Sequence, residues 1–486
     1  MNSALDIKII NAAKWSSITE ILSKCIQPIS NMLLARILAP DAFGVVATIN
    51  IIVSFVDMFT DAGFQKYIIQ NEFKDEEHLE KSLTVAFWTN LILSLGLWLV
   101  IIIFKDNIAQ LVGSPGLGFT IVIACISLPL TSFSSLQIGY FKRKFDFKTL
   151  FFSRLIGILI PIFITLPLAF KMRTYWALVI GTILTNLSNA IILTYSSQWK
   201  PKLFYSVELL KDMFSFSIWS LIEQITIWLT LYIGTFIVGV YLSPYYLGMY
   251  KTSMTTVNQI MNLITSATTP ILFSTLSRLQ NNRKKFIDVF FKFQKYIAII
   301  VLPMAVGIFM YRELITQILL GSQWSEATGF IGLWGLMSGI VIVFGYYSSE
   351  VYRSLGKPKL SVLSQVLHLI FLVPLLTISA QKSFVLLYSA RSLARIQAII
   401  VDMMIMWIAV KISPMKMIKN VWQYLIASIL MGGLAYLLQN ISCGIIWSFI
   451  SILICIIFYF LIICISKNNR YIIAKILKSI SAKVNN

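Results

Sequence analysis

Three pairs of ionisable side chains lie four residues apart inside otherwise apolar stretches: Glu20 with Lys24, Asp57 with Asp61, and Arg391 with Arg395. Four residues is about one helical turn, so each pair shares a helix face. Charge on an apolar helix is costly in lipid unless it meets water, protein or a ligand. Asp57 and Asp61 have no cation at helical spacing, and such a pair could share a proton or Na⁺. Arg391 and Arg395 offer two guanidinium forks, a geometry that suits pyrophosphate. The alternative for them is a structural network with Asp402 or with lipid headgroups. Glu20 and Lys24 can either face a substrate or neutralise each other locally.

Other chemistry is poorly supplied. The chain has no GxxxxGK phosphate loop and no HExxH pair, and it has two histidines. ATP hydrolysis and zinc-dependent hydrolysis therefore have no visible constellation. His78 lies in a charged loop, and His368 is isolated in an apolar segment that suits a packed residue. The five cysteines sit within apolar segments without a CxxC pair and read as small hydrophobes. No enzyme, metal or organic cofactor is expected, beyond a coupling ion such as H⁺ or Na⁺.

The elements that must position these charges are membrane helices. Of 486 residues, 58% are hydrophobic and only 12% charged, about half the charged share of a soluble domain. Mean hydropathy is +0.81. Apolar windows of about 20 residues predict fourteen spans, near 12–38, 42–69, 83–104, 118–140, 150–170, 175–196, 212–240, 246–277, 292–311, 326–347, 359–379, 383–410, 421–439 and 445–466. Spans one, two, seven and eight carry polar stripes. Glu20, Lys24, Gln27 and Asn31 line one face of the first, and Asn50, Ser54, Asp57, Asp61 and Gln65 one face of the second. Ser220, Glu223 and Gln224 mark the seventh, and Lys251, Thr255, Gln259, Asn262 and Ser266 the eighth.

Net charge is +20, from 40 Lys+Arg against 20 Asp+Glu. In a soluble protein that excess would suggest nucleic acid. Here, segments on the side of the termini hold 28 Lys+Arg and the opposite segments six. The positive-inside rule places both termini in the cytoplasm, which makes most of the charge topological. No basic region with a small-residue cleavage site precedes the first span, so that span is expected to act as an uncleaved insertion signal. The charged segment 70–82 reads as a solvated helix on the membrane surface. The tail Lys467–Asn486 mixes Lys/Arg with Ile and Tyr and is expected on anionic membrane lipid.

The chain also repeats itself. Leu38-Ala39-Pro40-Asp41-Ala42-Phe43-Gly44 matches Leu242-Ser243-Pro244-Tyr245-Tyr246-Leu247-Gly248 at an offset of 204, keeping Leu, Pro and Gly. Two looser matches, at 108–113 with 315–321 and at 140–143 with 352–357, follow in order. They predict an all-α polytopic protein of two six-helix lobes, 1–205 and 206–410, in pseudo-twofold repeat, plus two extra helices and a basic tail over 411–486. Alternating-access sites lie between such repeats, which favours a cavity lined by spans one, two, seven and eight.

The run Asn31-Met32-Leu33-Leu34-Ala35-Arg36-Ile37-Leu38-Ala39-Pro40-Asp41-Ala42-Phe43-Gly44, followed by Asp57…Asp61-Ala62-Gly63-Phe64, resembles the N-terminus of bacterial polysaccharide exporters. These are the Wzx-like flippases of the multidrug/oligosaccharidyl-lipid/polysaccharide exporter superfamily. Leu320-Gly321-Ser322-Gln323-Trp324 and Arg353-Ser354-Leu355-Gly356-Lys357 are similar to two later landmarks of that family. The resemblance implies a flippase that moves an undecaprenyl-(pyro)phosphate-linked oligosaccharide across the cytoplasmic membrane, driven by an ion gradient and served by polysaccharide polymerase machinery. It implies cavity cations at Lys24 and Lys251, with Arg391 and Arg395 as further candidates. The cavity or coupling acids would be Glu20, Asp57, Asp61 and Glu223, with Gln27, Asn31, Asn50, Gln259 and Asn262 as polar lining. A sparsely charged second lobe favours a surface-polysaccharide repeat unit over a peptidoglycan precursor. The alternatives are a cation-coupled multidrug exporter and a membrane-bound polymerase or glycosyltransferase.

Overall fold

The computed structural model describes residues 3–61, 64–442, 444–466 and 469–470. The tail beyond 470 and Cys443 lie outside the described residues, as do the side chains of Asp61 and Glu223. Every regular element of the described chain is a helix.

In order, the helices of the first half are α1 (Ser3–Ile37), α2 (Pro40–Asp61), α3 (Phe64–Gln70), α4 (Glu76–Ile103), α5 (Lys105–Leu111), α6 (Gly118–Ala124), α7 (Ser127–Arg143), α8 (Phe147–Ile160), α9 (Leu166–Met172) and α10 (Trp176–Ser196). The second half holds α11 (Val207–Tyr241), α12 (Pro244–Arg278), α13 (Arg283–Met310), α14 (Arg312–Leu319), α15 (Thr328–Val341), α16 (Ser348–Ser354), α17 (Lys359–Ala380), α18 (Phe384–Val410), α19 (Pro414–Gln439) and α20 (Ile445–Ile463). A π-helical turn at Pro161–Thr165 joins α8 to α9, and another at Ile342–Tyr346 joins α15 to α16.

Twelve of the described helices are long and apolar enough to cross a membrane. The expected fourteen also include α1 and α12. Each of these is 35 residues long, but each carries the polar stripe noted above. The segment 70–82 is not a separate surface helix. Asp75 caps α4, its Oδ1 accepting from the His78 N–H at 2.7 Å, and Glu76 and Glu77 occupy the first turn. Acidic groups at a helix N-terminus oppose its dipole favourably, so the charged run became the first turns of a membrane helix.

The chain forms two compact units, Met1–Thr252 and Ser253–Asn486. In the first, α2, α4 and α7 pack around Val45, Ile49, Ile52, Ile101, Ile121 and Leu128. A neighbouring cluster holds Phe64, Leu83, Leu136, Trp199 and Met213. Arg143 ends α7 by donating to the carbonyls of Ile68 (2.9 Å) and Asn71 (2.6 Å), which satisfies the open end of α3. Outward-facing Leu, Ile and Phe side chains, such as Ile446, Leu461 and Phe163, remain exposed, as lipid-facing surface must.

The two copies of the repeated turn meet within the first unit. Pro40 opens α2 and Pro244 opens α12, a position where the missing N–H costs nothing. A Cβ placed on Gly44 would lie 1.7 Å from the Pro244 carbonyl oxygen, and one on Gly248 would lie 1.9 Å from that of Pro40. Each turn therefore presses its proline carbonyl into the space that the other's glycine leaves. The retained Pro and Gly of the repeat are explained by this reciprocal contact, since only glycine permits so close a backbone approach.

Candidate functional site

On α2, Ser54, Asp57, Met58 and Thr60 face a cavity of about 450 Å³ in the first unit. The spacing that made Ser54 and Asp57 a polar stripe delivers both to one wall. The opposite walls come from α7, through Thr131, Ser134 and Ser135, and from α11, through Gln224, Trp228, Leu231 and Tyr232. Gln65 and Asn90 complete the polar lining.

Each group is held. Asp57 Oδ1 accepts from Thr131 Oγ1 at 2.7 Å and from Thr60 Oγ1 at 3.5 Å. Trp228 Nε1 donates to Ser54 Oγ at 3.0 Å, tying α11 to α2. Gln65 Nε2 donates to the Ser135 carbonyl at 2.9 Å. Trp228 stacks on Tyr232, with ring centroids 5.6 Å apart and planes at 22°, and Phe55 lies 4.9 Å from Trp228. Lys251, on α12, sets its ammonium 5.2 Å from the Tyr232 ring centroid. Cation–π contact at this range holds the lysine beside the aromatic pair.

This arrangement recognises rather than reacts. A carboxylate, three amides and several hydroxyls can exchange hydrogen bonds with a polyol, while stacked rings offer flat apolar faces. Among the described residues, no group of three His, Cys, Asp or Glu is placed to hold a metal ion.

The other expected site residues are distributed differently. Glu20 and Lys24 form an ion pair at 2.9 Å, the local neutralisation that was the alternative for them. Glu20, Gln27 and Asn31 are exposed along α1 and Asn50 is exposed on α2; none of them lines the cavity. Gln259 is half-buried on α12, and Asn262 is exposed with its Oδ1 accepting from Thr265 Oγ1 at 3.4 Å.

Arg391 and Arg395 belong to the second unit. Both lie over one indole, that of Trp334, with guanidinium carbons 5.4 Å and 3.3 Å from the ring centroid. Asp402, the acid expected to meet them, instead accepts from Ser364 Oγ at 2.7 Å, and its backbone carbonyl accepts from the Tyr352 hydroxyl at 3.1 Å. A second, apolar cavity of about 410 Å³ lies among α13, α14, α19 and α20, walled by residues such as Pro303, Met304, Met431 and Phe460.

The residues missed in the sequence are Thr131, Asn90, Trp228 and Tyr232. Gln224, Trp228 and Tyr232 repeat at intervals of four. That is the same one-face signal that marked α2, carried by amphipathic rings instead of charges.

The model of a family described as polysaccharide biosynthesis protein matches residues 33–329. The chain belongs to that family. The matched region runs from the end of α1 into α15 and so contains the whole polar cavity. The chain is 23% identical over 327 residues to the succinoglycan biosynthesis transport protein ExoT of Rhizobium meliloti (strain 1021), a match covering 67% of this chain and 65% of ExoT. It is 22% identical to the lipopolysaccharide biosynthesis protein WzxC of Escherichia coli (strain K12), covering 66% of this chain and 64% of WzxC. The chain thus spans a little under two thirds of the length of these two relatives. Among solved structures it is similar to the lipid II flippase MurJ in an inward closed conformation, with a TM-score of 0.73 at 16% identity over 92% of this chain and 97% of MurJ. An inward-facing multidrug resistance MATE transporter of the MOP superfamily matches at a TM-score of 0.60 and 13% identity, over 80% of this chain and 96% of that one. These two likenesses fix the fold: this member of the polysaccharide biosynthesis family is a multi-pass membrane protein with the helical fold that those two structures share.

Proposed function

We propose that the chain is a non-enzymatic flippase that carries an undecaprenyl-(pyro)phosphate-linked oligosaccharide repeat unit across the cytoplasmic membrane for surface polysaccharide assembly. The observation that carries this reading is the cavity of the first unit. Its carboxylate, amides, hydroxyls and stacked Trp228–Tyr232 pair are gathered around one cavity on helices that are otherwise largely apolar. A sugar needs hydrogen-bond partners on its edge and a flat apolar surface under its ring, and this lining offers both. Family membership and the names of ExoT and WzxC support a polysaccharide role.

In this reading α1 and α12 also cross the membrane, giving fourteen spans. Both termini are cytoplasmic, following the charge asymmetry of the loops. Asp57, held by Thr131 and Thr60, is the acid of choice for H⁺ or Na⁺ coupling. Polysaccharide polymerase machinery would take up the flipped unit. A deletion strain tests the proposal. Loss of surface polysaccharide with accumulation of lipid-linked units is the expected result. Normal polysaccharide together with drug hypersensitivity would refute it in favour of multidrug export.

A further inference from the structure

We propose that Arg391, Arg395 and Trp334 form an oxyanion site in the second unit that binds the phosphate or diphosphate group of a lipid. Arg391 and Arg395 lie seven and eleven residues beyond Phe384, the first residue of α18. At 1.5 Å per residue that is roughly 10 and 16 Å along the helix, well inside a membrane span. Charges at that depth need a counter-charge.

The described residues do not supply one to Arg391. Among the described residues its guanidinium makes no hydrogen bond or ion pair, and its Nε is buried without a partner. Asp402, the acid on the same helix, is engaged by Ser364. Glu350, another buried acid of the second unit, is paired with Arg353. The cations are nonetheless held in place. Trp334 is fully buried, and its Nε1 donates to Asn258 Oδ1 at 3.1 Å, which fixes the indole plane. Arg395 donates from Nη1 to Ser338 Oγ at 2.5 Å. Two guanidinium groups against one fixed ring form a pre-set double cation, and the partner that geometry fits is an anion with several oxygens.

The phosphate could come from a polyprenyl diphosphate or from a bulk anionic phospholipid, and the test separates these sources. The full chain is purified in detergent, and native mass spectrometry follows retention of farnesyl diphosphate, with farnesol as the uncharged control and phosphatidylglycerol as competitor. Farnesyl diphosphate should bind and farnesol should not. Arg391→Gln and Arg395→Gln should each weaken binding by about tenfold or more, as expected for loss of a charge-assisted hydrogen bond. Efficient competition by phosphatidylglycerol assigns the site to headgroups, and weak competition assigns it to the diphosphate. A second measurement needs no variant: farnesyl diphosphate should protect Arg391 of the wild type from phenylglyoxal, read by peptide mass mapping. Equal binding by the Gln variants, equal binding of farnesol, or no protection of Arg391 would overturn the proposal. The measurement is independent of surface polysaccharide, so its failure and that of the flippase reading are distinguishable.

Discussion

Replacing Gly44 or Gly248 with alanine should break the interlock of the two repeated turns. The new Cβ at position 44 would fall 1.7 Å from the Pro244 carbonyl oxygen and 2.6 Å from its carbon. At position 248 it would fall 1.9 Å from the Pro40 oxygen and 2.8 Å from its carbon. A carbon–oxygen contact settles at roughly 3.3 Å, so either substitution demands a separation of about 1.5 Å between two backbones. No side-chain rotamer can absorb that shift. Overpacking of this kind typically costs about 1–3 kcal/mol. The two penalties should not add, because one separation of the turns relieves both clashes, and the double variant should cost less than the sum of the singles. Thermal unfolding of the purified chain in detergent, followed by tryptophan fluorescence, reads the loss. Gly96→Ala in α4 and Gly433→Ala in α19 are the controls, since a Cβ at either meets nothing within 4 Å. Those changes should be neutral or stabilising by up to about 1 kcal/mol, through helix propensity alone. A G44A or G248A midpoint at or above wild type, or strict additivity in the double variant, would refute the interlock.

Other expectations concern the cavity, a helix cap and the ion pair of α1. Trp228→Ala removes the stacked platform and the bond to Ser54, and should lower surface polysaccharide in a complemented deletion strain by about tenfold, as loss of roughly 1.4 kcal/mol would; wild-type output would remove the platform from substrate contact. Thr131→Val should leave expression intact while cutting transport, because it takes the 2.7 Å hydrogen bond from Asp57, and unchanged transport would mean that this bond does not set the carboxylate's role. Arg143→Ala should destabilise the first unit by about 1–3 kcal/mol, since two carbonyls lose a charged donor; an unchanged unfolding midpoint would sink the capping argument. Exchanging the pair, Glu20→Lys with Lys24→Glu, should preserve transport, and a dead exchange variant with normal expression would make Lys24 a substrate contact instead.

The helical class was legible because lipid leaves the backbone few alternatives: long apolar windows in α4, α13 and α20 could hardly be anything but membrane helices. The repeat was legible because Leu, Pro and Gly recur in register, and the contact of Pro40 with Gly248 and of Pro244 with Gly44 gives that recurrence its physical cause. The site was legible only in part. Asp57 stood out since charge in an apolar helix is conspicuous, and Glu20 and Lys24 stood out for the same reason, although the ion pair between them could be read only from the structure. Thr131, Trp228 and Tyr232 were invisible for the opposite reason: hydroxyl and ring side chains are ordinary in membrane helices, and only their convergence with Asp57 around one cavity gives them a role. The two arginines sharpen the contrast. Their sequence spacing suggested an acid partner at Asp402, but spacing along one helix cannot show that Ser364 of α17 already occupies that carboxylate, or that Trp334 of α15 lies beneath both guanidinium groups. Charges announce a site from sequence alone, whereas what each charge answers to depends on neighbouring helices, and in this protein that distinction separates the paired lysine of α1 from the unpaired arginine of α18.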